Sequence, residues 1–88
     1  EVPIDPVINK IVLTPANAIL WNGEVQSLGQ LRTLLAESAD MEPEPELQFE
    51  PEANAAYELS AIVLNAIKAS GVTKFGFVGN EKYRSFGK

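Results

Sequence analysis

Residues 47–78 constrain the fold more than any other stretch, because the spacings of a strand, a helix and a strand follow one another there. Leu47 and Phe49 alternate with Gln48, the period-two pattern of a half-buried strand, and Pro51 ends it. From about Ala53 to Ser70, Leu59, Ile62, Val63, Ala66 and Ile67 make an apolar stripe at helical spacing, with Glu58, Asn65 and Lys68 turned outward. Gly71 supplies the left-handed residue that stops this helix. Lys74 to Val78 forms the last strand, with Phe75 and Phe77 on one face. Strands joined by a crossover helix lie parallel, because a right-handed connection packs the helix back on the sheet.

Upstream, Lys10–Thr14 is a β-rich run broken by Pro15-Ala16-Asn17, and Ala18–Trp21 is a second run closed by Asn22-Gly23. Asn-Gly suits a type I′ turn, whose central residues both need positive φ, so Glu24-Val25-Gln26 returns as a short strand or extends a hairpin. Ser27-Leu28-Gly29-Gln30 has the form of a capping box, in which the Ser side chain and the Gln side chain satisfy free amides at a helix start. Leu28, Leu31, Leu34 and Leu35 then carry a first helix to about Ala39. Asp40–Pro45 reads as a solvated acidic connection, with a cation site as the alternative, although Pro43 and Pro45 restrict convergence of its carboxylates.

The element order is β-β-(β)-α-β-α-β, which predicts an α+β, two-layer sandwich. Its mixed four- or five-stranded sheet carries two helices on one face. Residues 1–9 form an extended linker containing Pro3 and Pro6, residues 10–80 the domain, and residues 81–88 a tail. Ile11, Leu13, Ile19, Trp21, Leu47, Phe49, Phe75 and Phe77 then face the helices. Val12, Thr14, Leu20, Gln48, Gly76 and Val78 face away. A solvated sheet face usually carries fewer apolar residues than this one, and edge strands are open to pairing. The expectation is a dimer or partner surface on the outer face or an edge; scattered surface apolars are the alternative.

Composition removes several functions. With no Cys and no His among 88 residues, there is no thiolate site, and the commonest general base and metal ligand is missing. Zero Cys suits a cytosolic or a periplasmic location equally. The net charge of −5 repels phosphate, which argues against nucleic acid. Lys82, Arg84 and Lys88 form a short basic tail, read as a solvated end before an anion patch. Ala61–Leu64 is too short to span a membrane, no signal peptide is visible, and a start at Glu1 instead of Met is expected of a piece of a longer protein.

Two aromatic residues and one pair of carboxylates have two readings each. Tyr57 opens an amphipathic helix and reads first as core, second as a partner contact. Trp21 reads as core or rim packing, although Trp is also enriched at binding hot spots. Glu50 and Glu52 flank Pro51 as a solvated hinge near a helix N-terminus; a catalytic carboxylate pair would need a pocket and opposed environments, and no His accompanies them.

The run Leu47-Gln48-Phe49-Glu50-Pro51-Glu52-Ala53-Asn54-Ala55-Ala56-Tyr57, then Ile62–Val72 with its Ala-Ser-Gly-Val ending, then Lys74-Phe75-Gly76-Phe77-Val78, resembles the periplasmic domain of the ExbD/TolR family of biopolymer transport proteins. Ala18-Ile19-Leu20-Trp21-Asn22-Gly23-Glu24-Val25 and the Leu-rich helix after it look like the family's strand, Asn-Gly turn and first helix. The similarity runs from about Ile11 to Val78 and rests on order and spacing, since each element is generic alone. Two departures stand out. Glu52 replaces the family's usual Asp, so a capping role passes less well to it and Asn54 is the alternative cap. The family's membrane helix with its proton-handling Asp is not in this sequence, so this chain alone would not conduct protons.

The resemblance implies the periplasmic part of a single-pass inner-membrane subunit coupled to the proton motive force. Its expected partners are a second copy as a homodimer, an ExbB/TolQ-like channel subunit, a TonB- or TolA-like or Pal-associated protein, and peptidoglycan. No nucleic acid and no cofactor is expected, and membrane contact would come only through the missing helix. Val12, Leu20, Trp21, Glu52, Tyr57 and Val78 are the candidate partner-contacting residues, with no catalytic or metal residue and no enzyme activity expected. The rivals are a stand-alone periplasmic module binding a small molecule or peptidoglycan, and a hydrolase built on Glu50 or Glu52.

Overall fold

A computed structural model describes residues 7–78. The elements are β1 (Ile8–Leu13), β2 (Ile19–Trp21), β3 (Glu24–Gln26), α1 (Leu28–Ala39), β4 (Glu46–Pro51), α2 (Tyr57–Ser70) and β5 (Phe75–Phe77). They form one five-stranded sheet in the order β3-β2-β1-β4-β5, antiparallel from β1 to β3 and parallel from β1 through β4 to β5. The α+β sandwich with a mixed sheet is therefore the fold, and the optional third strand is present. Most of the expected linker and tail, residues 1–6 and 79–88, lies outside the described residues; β1 begins at Ile8, two residues before the expected run.

Local chemistry accounts for the N-terminal half. Between β1 and β2, Asn17 takes the left-handed conformation (φ 67°) after Pro15-Ala16, while Thr14 Oγ1 accepts from the Ala18 amide at 3.1 Å. Between β2 and β3, Asn22 (φ 51°) and Gly23 (φ 89°) both have positive φ, as a type I′ turn requires. Asn22 Oδ1 also accepts from the Lys10 amide at 2.8 Å, which ties the turn to β1. The capping box is formed: the Gln30 amide donates to Ser27 Oγ at 3.0 Å and the Ser27 amide to Gln30 Oε1 at 2.8 Å. Replacing Ser27 with Ala is expected to lower stability by about 1 kcal/mol, read by urea denaturation. Ser27→Asn, another good cap, should keep most of it.

Ile11, Leu13 and Ile19 meet Leu47 and Phe49 from the sheet, Leu31 and Leu35 from α1, and Val63, Ala66 and Ile67 from α2 in one buried cluster. Both helices contact each other over it, so they share one face. Two helices about 10 Å apart cover about 20 Å, whereas five strands spaced about 4.8 Å span about 24 Å. The shortfall falls at β5. Phe75 is only half-buried and Phe77 is 51% exposed, although both point to the helix side as their spacing predicts.

Three expectations about α2 need correction. The helix starts at Tyr57, not Ala53, because a turn closed by the Ala55 amide on the Glu52 carbonyl (2.9 Å) comes first. Neither Glu52 nor Asn54 caps it: Ala56 is the N-cap and no side chain bonds there. Ile62, read as part of the apolar stripe, is exposed, because α2 turns Val63, Ala66 and Ile67 onto the sheet instead. Gly71 ends the helix in the left-handed region (φ 92°), as expected. Pro51 belongs to β4, where the Glu52 amide donates to the Leu13 carbonyl at 2.9 Å.

The acidic connection is not uniformly solvated. Glu44 accepts hydrogen bonds from the Thr73 amide (2.7 Å), Thr73 Oγ1 (2.9 Å) and the Lys74 amide (3.0 Å). These donors, the Lys74 amide first and the Thr73 amide second, hold its carboxyl below the usual carboxylate range. A depressed pKa means this stabilisation is present above the unfolded-state value and disappears as pH falls through the lower folded one.

Candidate partner-binding surface

Strand register decides which candidate residues can act together. Val12 sits opposite Leu20, Leu20 opposite Val25, and Val12 beside Glu50. Val78 follows Phe77, which pairs with Phe49, so it extends the same row beyond Glu50. The outer face therefore carries the row Val25-Leu20-Val12-Glu50-Val78, running across the sheet for about 19 Å at ordinary strand spacing. Val25 is 71% exposed, and Val12, Leu20 and Val78 are half-buried. Lys10 Nζ lies 2.8 Å from Glu50 Oε1, an ion pair within this row's neighbourhood that interrupts its apolar character. At partial exposure such a pair adds roughly 0.2–1 kcal/mol.

Of the residues named from the sequence, Val12, Leu20 and Val78 thus share one face. Trp21 does not: it lies on the helix side of β2, half-buried against the core, in agreement with the packing reading. Glu52 is exposed in the turn after β4. Tyr57, read first as core, is 86% exposed at the first residue of α2. It borders a shallow groove of about 190 Å³ with Phe49, Pro51, Ser60, Ala61, Leu64 and Phe77, along the flank that α2 leaves uncovered.

Sequence reasoning missed Val25 and Phe77 as surface residues. Val25 was recoverable, since a two-residue Asn-Gly turn places Leu20 opposite it. Phe77 was not, because its exposure depends on how far α2 reaches across the sheet.

As for the hydrolase alternative, Glu50 is engaged with Lys10 on the outer face, while Glu52 sits exposed in the following turn. Among the described residues no three Asp or Glu side chains converge as a metal site would require. No helix among them is long and apolar enough to cross a membrane.

The fold and surface define a two-layer α+β domain whose sheet has a partly apolar outer face and an edge strand, β5, that the helices cover only in part. Over 65 residues the chain is 34% identical to the biopolymer transport protein ExbD2 of Xanthomonas campestris pv. campestris. The aligned region takes in 72% of this chain and 48% of that protein, so the chain spans about half the length of the curated relative it matches. No protein-family model matches the chain.

Proposed function

We propose that this chain is an ExbD/TolR-type periplasmic domain of a single-pass inner-membrane subunit in a proton-motive-force-coupled transport system. Its work is binding and not bond making. One copy pairs with another, and the pair engages an ExbB/TolQ-like channel subunit and a TonB- or TolA-like protein. The observation that carries this reading is the similarity to the Xanthomonas biopolymer transport protein over 65 residues, a span that takes in most of the domain. The apolar row Val25-Leu20-Val12 supports it, since an apolar patch across an outer sheet face marks an interaction surface more often than a solvated one.

Within this reading Val12, Leu20 and Val78 contact the partner on the outer face. Trp21, Glu52 and Tyr57 lie off that face and would serve a second contact at most. The test is cross-linking of the tagged full-length protein in bacterial envelopes, followed by identification of what it captures. Recovery of a multi-helix channel subunit together with a TonB- or TolA-like protein is expected. Capture of peptidoglycan fragments or a small molecule, with neither protein present, would replace this reading with the stand-alone binding module.

A further inference from the structure

The edge strand β5 is short and pairs with β4 alone. It is three residues long, has Gly76 at its centre, and follows a loop of only four residues after α2. At the two ends of its parallel ladder with β4, the Leu47 amide donates to the Lys74 carbonyl (2.7 Å) and the Val78 amide to the Phe49 carbonyl (3.2 Å). Pro51 carries no N–H, so β4 offers this ladder no further donor at that end. The helices bury neither Phe75 nor Phe77 fully. Yet the entry to β5 is held by three hydrogen bonds from one carboxylate, Glu44, which lies 29 residues earlier in the chain. Bonds to an ionised acceptor are about twice as strong as neutral ones.

We propose that Glu44 is a latch that fastens β5 to the sheet, making β5 a strap that opens as a unit while the rest of the domain stays folded. Opening exposes the β4 edge, with the Leu47 amide and the Phe49 carbonyl unpaired and the Phe49 ring uncovered on the β5 side. The latch joins the α1–β4 connection to the α2–β5 connection, so anything that pulls on the acidic segment 40–45 also bears on β5. The inference stands on these contacts and does not depend on the transport reading.

Residue-resolved amide hydrogen exchange tests it, comparing the wild type with Glu44→Ala, Glu44→Gln and Thr73→Val. Glu44→Ala should speed exchange at Thr73, Lys74, Leu47 and Val78 by about tenfold or more, while the Glu52 and Asn22 amides, which bond to β1, keep their protection. Glu44→Gln keeps an acceptor without charge and should give a smaller effect at the same amides. Thr73→Val removes one of the three donors and should do likewise, which keeps the test available if the Ala variant fails to fold. Acceleration that is uniform across the sheet would reduce Glu44 to a general stabiliser and overturn the latch. Unchanged exchange at Leu47 and Val78 in all three variants would overturn it as well.

Discussion

Phe49→Ala is expected to lower the stability of this domain by about 3–5 kcal/mol, the usual range for emptying a buried aromatic site. Phe49 is 1% exposed and central to β4. Its ring packs against Phe75 and Phe77 with centroids 6.4 and 5.4 Å away, in tilted arrangements that add to the burial. A chain of 88 residues has roughly 4–13 kcal/mol of stability in total, so this one substitution removes a large share. Tyr57→Ala, at the exposed start of α2, should shift stability by less than about 0.5 kcal/mol. Urea melts of the two variants give the comparison. Equal losses in both would mean that the layers do not pack as described.

The second large effect concerns association. Val25→Glu combined with Leu20→Glu should weaken self-association by at least about tenfold, measured by sedimentation equilibrium. In a two-fold dimer the same patch meets itself, so each new carboxylate enters the interface twice and is buried against an apolar row that already carries Glu50. Val25 is exposed, so Val25→Glu alone should leave the melting curve nearly unchanged while still weakening association. A wild-type protein that stays monomeric at high concentration, or a double variant that associates as tightly as wild type, would remove the outer face as the self-pairing surface.

The Asn22-Gly23 turn, the Ser27–Gln30 capping box and the Gly71 cap were all legible in the sequence, because each depends on bonds or φ values within a few residues. The inward set Ile11, Leu13, Ile19, Leu47 and Phe49 was legible for the same kind of reason, since a strand's alternation is written residue by residue. The start of α2 was not. A turn fixed by the Ala55–Glu52 bond occupies residues whose composition suits a helix equally well. The outward set was legible in part: that Val12, Leu20 and Val78 share a face follows from alternation along their strands, and the place of Val25 opposite Leu20 follows from the two-residue Asn-Gly turn.

What the sequence determined alone is therefore the list of elements, their order, and which side of each strand turns inward. The tertiary structure decided how far two helices reach over five strands, and so left Phe77 and Tyr57 in the open. It also decided that Glu44 meets Thr73 and Lys74. The physical reason is range. Turn, cap and periodicity are set by neighbours along the chain, whereas coverage and a contact across 29 residues exist only once the layers have packed.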